Sequence, residues 1–75
     1  MTDQKQILEA IADSLGLPTV DIDLEAFLKE DLGLNPVEIA DLFNSLAEQF
    51  KIIFIPSESV QVKTVSQLVE LVEDK

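Results

Sequence analysis

The sequence predicts an all-α fold, a small bundle of three main helices plus one short helix with a long first loop. Three features carry that prediction. Three segments repeat apolar residues at the 3.6-residue period of one helix face. Two of them open with side-chain patterns that mark a helix N-terminus. The one run that reads as a strand, Lys51 to Ile55, has no second strand of similar quality to pair its backbone groups.

The first helix starts at Thr2 or Asp3, both good N-caps, and carries Ile7, Leu8, Ile11, Ala12 and Leu15 on one face. Gly16 sits where a left-handed C-cap is wanted, and Pro18 blocks continuation. Leu17 to Gly33 reads as a long loop pinned to the core by Val20, Ile22, Leu24, Phe27, Leu28 and Leu32, with a helical turn near Leu24 to Lys29. The second helix has the best-marked start: Asn35 as N-cap, Pro36 at the first helical position and Glu38 to complete a capping box. Its apolar stripe is Ile39, Leu42, Phe43, Leu46 and Phe50, with Glu38, Asp41 and Glu48 on other faces. Lys51 to Ile55 then reads as a buried loop, and Ser57 caps a short helical turn through Val60. The last helix begins at Thr64, with Gln67 completing a second box, and buries Val65, Leu68, Val69 and Val72. Phe27, Phe43, Phe50 and Phe54 are expected near the centre, filling it rather than leaving a cavity.

Seventy-five residues suit one domain, 1–75, with a core near the lower limit for unaided folding. Five lysines, no arginine, seven aspartates and eight glutamates give a net charge of −10. Such a surface repels phosphate backbones and anionic bilayers, so the expected partner is a basic protein surface, with no nucleic acid and no membrane. Hydrophobic content of 47% argues for a folded chain, expected to be monomeric, rather than a disordered acidic tail. After Met1, residues Thr2 to Gln6 are charged or polar where a signal peptide would be apolar, which points to the cytoplasm.

The absence of Cys and His removes thiolate nucleophiles, disulfides and the usual general base and metal ligand. Carboxylates and lysines remain, and retuning their pKa values would need a dry pocket, so an enzyme is not expected. Asp21, Asp23 and Glu25 alternate like calcium-loop ligands, but Ala26 stands where that loop needs Gly and Leu32 where it needs Glu, so no metal site is expected. Gly33 before a helix start is a weak phosphate signal without the rest of a P-loop.

The run Asp31-Leu32-Gly33-Leu34-Asn35-Pro36-Val37-Glu38, followed by Ile39 through Phe50 and then Ile55-Pro56, resembles acyl carrier proteins of the phosphopantetheine-attachment family over nearly the whole chain. That resemblance implies a helical bundle with a long first loop and a D-x-G-x-D-S-L motif opening the second helix, whose serine receives 4′-phosphopantetheine. Asp31 and Gly33 match the motif, Asn35 stands for its Asp, Pro36 for the attachment Ser and Val37 for its Leu. Proline has no hydroxyl, so no cofactor is expected. Ser45 lies nine residues on, about half a turn around the helix from Pro36 at ~100° per residue. Ser59, in Glu58-Ser59-Val60, lacks the upstream Asp and Gly.

The resemblance further implies that Glu38, Asp41 and Glu48 dock on Lys/Arg patches, with Val37 as the apolar contact. The leading expectation is therefore a non-catalytic interaction module for a basic partner, possessing the carrier scaffold without its prosthetic group and related to fatty-acid or polyketide-type synthesis. The alternatives are a functional carrier modified at another serine such as Ser59, and an acidic decoy of a nucleic-acid-binding protein.

Overall fold

A computed structural model of the chain describes residues 3–75. Four helices follow in order: α1 (Gln4–Leu15), α2 (Pro36–Phe50), α3 (Pro56–Gln61) and α4 (Val65–Asp74), with a 3₁₀ turn at Thr19–Asp21 inside the long first loop. The all-α bundle with three main helices and one short one is the fold the sequence predicts.

Asp3 caps α1, its carboxylate accepting from the Lys5 N–H at 3.3 Å; Thr2, the other candidate cap, lies outside the described residues. Gly16 ends the helix at φ 70°, and the Gly16 and Leu17 N–H groups return to carbonyls of the last turn. At the other end of the bundle, α2 closes on Lys51, which holds a left-handed φ of 55° without being glycine. An L-residue there is strained by about 1–2 kcal/mol. Glycine would relieve that and give back roughly 0.5–1 kcal/mol through a more flexible unfolded chain. Lys51→Gly is accordingly expected to stabilise by about 0.5–1 kcal/mol in urea unfolding.

The core is aliphatic. Ile7, Ile11, Leu28, Leu42, Leu46, Val65, Leu68, Val69 and Val72 are essentially inaccessible to solvent, joined by Ala10, Ala26, Leu34 and Phe43. Leu8 and Leu15 of the α1 stripe lie at its rim, and Ala10 is buried in addition to the expected positions. The phenylalanines are placed differently from expectation. Phe43 alone is buried; Phe50 and Phe54 are half-buried, and Phe27 is 44% exposed. Helix-on-helix contact is close enough here for branched aliphatic side chains to fill the middle, which leaves the larger rings at the margins. Phe54 packs edge-to-face on Phe43, with ring centroids 4.9 Å apart.

Lys51 to Ile55 forms no strand, but it is not buried throughout. Ile52 and Phe54 turn inward, whereas Ile53 is 82% and Ile55 54% exposed. Alternation follows from extended backbone, in which successive side chains point to opposite sides. The short helix α3 also starts two residues earlier than expected, at Pro56, so Ser57 is not its cap. Ile55 takes that position: its N–H donates to Glu58 Oε1 at 2.8 Å, and its carbonyl accepts from the Glu58 N–H.

Lys75 donates to the same Glu58 oxygen at 2.9 Å while its ammonium lies 5.7 Å from the centre of the Phe54 ring. The Ile55 N–H first, and Lys75 second, hold the Glu58 carboxyl below the usual glutamate range. A carboxyl with a depressed folded pKa contributes stability above its unfolded pKa and loses it as pH falls through the folded value. Acidification below the ordinary glutamate range is thus expected to release the α3–Lys75 contact, seen as a Glu58 carboxyl NMR midpoint below that range.

The long first loop is tied down by backbone pairing. The turn expected around Leu24 to Lys29 is instead two hydrogen-bonded turns flanking Phe27, one from Asp23 to Ala26 and one from Phe27 to Asp31. Between them Phe27 forms a single antiparallel bridge with Thr64. The Leu28 N–H donates to the Lys63 carbonyl at 2.8 Å, and the Val65 and Ser66 N–H groups donate to Ala26 and Leu24 carbonyls at 3.1 and 2.8 Å. Those two donors have no partner inside α4, since they belong to its first turn; the loop supplies the acceptors. Thr64 and Gln67 complete the expected capping box beside them.

Candidate functional site

The motif residues converge on the start of α2. Asp31 accepts from the Phe27 N–H at 2.8 Å, closing the preceding turn. Gly33 has φ 68°, and a Cβ there would meet no heavy atom within 4 Å, so glycine serves the left-handed backbone rather than a close approach. Leu34 is buried and its N–H donates to the Leu28 carbonyl, anchoring the loop just before the helix. The box then closes in both directions: Asn35 Oδ1 accepts from the Glu38 N–H at 2.8 Å, and Glu38 Oε1 accepts from the Asn35 N–H at 3.0 Å. Pro36 occupies the first helical position, where its missing N–H costs nothing.

Beyond the box, α2 runs unbroken from Pro36 to Phe50. At about 100° per residue, Val37, Glu38, Asp41 and Glu48 fall within an arc of roughly 100°, away from buried Leu42, Phe43 and Leu46. All four are exposed, Val37 at 68%. The structure therefore brings the four expected docking residues onto one face. The described residues form no ion pair involving Glu38, Asp41 or Glu48, and a cation brought to this face would meet unneutralised carboxylates.

Two clefts flank the helix start. One, of about 400 Å³, lies between the end of α1 and α2, with Ser14, Ser45, Glu38 and Asp41 among the residues that line it. The other, of about 380 Å³, lies between the long loop, α2 and α3, where Phe27, Ile39, Val60 and Val62 form apolar walls beside Lys29, Glu30 and Lys63. Phe27 is a wall of that cleft rather than a filler of the core. Neither cleft is legible in the sequence, because each joins residues far apart in the chain with no shared period.

No residue from Asp31 to Glu38 carries a hydroxyl, so this segment does not fit a group held through a serine ester. Ser59 has its hydroxyl turned onto its own helix, donating to the Pro56 carbonyl at 2.8 Å. Ser45 lines the cleft between α1 and α2, on the side of the helix opposite Pro36.

A long loop, a doubly capped second helix and an acidic face on it define a small helical bundle of the carrier type. The chain matches the family model described as "Phosphopantetheine attachment site" over residues 5–72. It is 33% identical over 67 residues to an acyl carrier protein of Exiguobacterium sibiricum, covering 89% of this chain and 85% of that one. Against an acyl carrier protein of Saccharopolyspora erythraea it is 33% identical over 76 residues, covering 96% and 80%. A third, from Amoebophilus asiaticus, is 30% identical over 71 residues, covering 95% and 89%. The chain belongs to the phosphopantetheine-attachment family of acyl carrier proteins. Among the described residues no helix is long and apolar enough to cross a membrane.

Proposed function

We propose that this chain is a carrier-family domain in which Pro36 takes the attachment position, so that it bears no prosthetic group and acts as a non-catalytic interaction module. Its acidic α2 face docks on a basic protein surface, such as that of a synthase or transferase of fatty-acid or polyketide type. The observation that carries this is the intact α2 start: Val37, Glu38, Asp41 and Glu48 share one exposed face although the hydroxyl is absent. Family membership supports a synthase or transferase as partner, and the net charge of −10 supports a basic one.

Glu38 has two tasks, since its carboxylate also closes the capping box. Charge reversal there would remove a cap worth about 1 kcal/mol and confuse folding with docking. Asp41 and Glu48 are free of that duty. In Asp41→Lys/Glu48→Lys, capture of a purified basic partner is expected to weaken roughly ten- to hundredfold at low salt, with a shallower salt dependence. Glu38→Gln, which keeps an acceptor for the Asn35 N–H, gives a smaller loss. Unchanged capture by the double variant would remove the docking proposal. Competition by duplex DNA for the same partner site would favour an acidic decoy instead.

A further inference from the structure

The short helix α3 is the most weakly anchored of the four. None of its 6 residues is fully buried, and Val60 is 75% exposed. Its polar groups bond mainly within the segment. The Ile55 N–H donates to Glu58 Oε1, the Glu58 N–H to the Ile55 carbonyl, the Ser59 hydroxyl to the Pro56 carbonyl and the Val62 N–H to the Glu58 carbonyl. Among the described residues, one hydrogen bond joins α3 to the rest of the protein, from Lys75 Nζ to Glu58 Oε1 at 2.9 Å. The chain on either side is held independently. Before α3, Phe54 packs on the buried Phe43 ring. After it, the Lys63 N–H donates to Gln67 Oε1 at 2.7 Å and the Lys63 carbonyl accepts from the Leu28 N–H at 2.8 Å. Ile55 and Val62, between these fixed points and the helix, both have extended backbone.

We infer that Lys75 is a latch and α3 a hinged wall of the cleft between the long loop and α2, with the Lys75–Glu58 bond setting how often that wall swings out. Ser59 and Val60 supply the α3 side of this cleft, opposite Phe27, Leu28 and Ile39. The last turn of α4 places the latch, because the Lys75 N–H donates to the Val72 carbonyl at 3.2 Å. Its ammonium also lies 5.7 Å from the centre of the Phe54 ring, so one side chain holds both the helix and the segment leading into it. A helix this short does not persist on its own backbone bonds, since a single turn is costly to nucleate. With no fully buried side chain, α3 has little apolar surface to seat it. Loss of the latch therefore frees α3 while the aliphatic core stays packed, as expected of a local opening. Glu58 also caps its own helix, so Lys75 is the side of the pair to alter.

The test is amide hydrogen exchange by NMR on the full isotope-labelled chain at constant pH, comparing wild type with Lys75→Met and Lys75→Arg. Lys75→Met keeps an apolar stem beside Phe54 and removes the donor, whereas Lys75→Arg restores a charged donor. In Lys75→Met the Val60, Gln61 and Val62 amides are expected to exchange about two- to fivefold faster. The Leu46 and Leu68 amides keep their wild-type rates, and Lys75→Arg returns α3 close to wild type. Movement of the wall is read separately, as shifted or broadened methyl signals of Ile39 and Val60 in Lys75→Met. Should that variant lose its dispersed spectrum, Glu58→Gln gives the same comparison, since it keeps an acceptor for the Ile55 N–H. Unchanged α3 rates in a folded variant, or rates raised equally in α2 and α4, would overturn the latch. Faster α3 exchange with unaltered Ile39 and Val60 methyls would overturn the moving wall.

Discussion

Leu46→Ala is expected to cost about 3 kcal/mol of folding stability. Leu46 is 0% exposed at the middle of α2, within the cluster that joins α1, the long loop, α2 and α4. Truncation there removes apolar burial and leaves a cavity that rigid neighbouring helices cannot close, which places the loss in the range of roughly 2–5 kcal/mol. A chain of 75 residues has little to spare, because domains this short sit near the lower end of the usual ~5–15 kcal/mol. No disulfide can compensate, since the chain has no Cys. At roughly 4–8 °C per kcal/mol for a small domain, the midpoint should fall by about 12–24 °C. Thermal or urea unfolding reads this directly. Val20→Ala, on an exposed loop residue, provides the control and should move stability by no more than about 0.5 kcal/mol.

Pro36→Ser is expected to turn an unmodified chain into a substrate for a broad-specificity phosphopantetheinyl transferase with coenzyme A. The change adds the missing hydroxyl and disturbs little else. Asn35 still caps, Glu38 still closes the box, and Gly33 and Leu34 still hold the loop that aims at the helix start. The loss of proline's preset φ costs only about 0.4–1 kcal/mol, so the variant should fold. With Pro36 proposed at the attachment position, Asn35 and Val37 take the motif positions on either side, and adding Asn35→Asp and Val37→Leu to Pro36→Ser should speed the modification further. A well-folded Pro36→Ser that gains no adduct would mean that the surrounding surface has ceased to present the position.

Much of this architecture is written in local sequence. The caps at Asn35 and Thr64, the Gly16 stop and the apolar stripes of α2 and α4 are short-range features, and each falls where the residues predict. The long loop is less legible because its order depends on partners almost forty residues away. Ala26 and Leu24 carbonyls meet the first N–H groups of α4, and no periodicity announces such a pairing. The phenylalanines escape a local reading for a related reason: hydrophobicity says that a ring prefers burial, but the available space between helices decides which apolar residue receives it. At the candidate site, the acidic residues can be named from the chain, whereas their shared face depends on α2 continuing through Glu48. The groove beside them needs α1 and α2 to be brought together.

In the function proposed here Pro36 takes the attachment position, and it offers no hydroxyl. Intact mass spectrometry of the wild-type chain after incubation with coenzyme A and a broad-specificity phosphopantetheinyl transferase tests the consequence most directly, with Pro36→Ser as the positive control. The expected result is an unchanged wild-type mass beside a single phosphopantetheine adduct on the variant. A stoichiometric adduct on the wild-type chain, at Ser59 or any other serine, would contradict it.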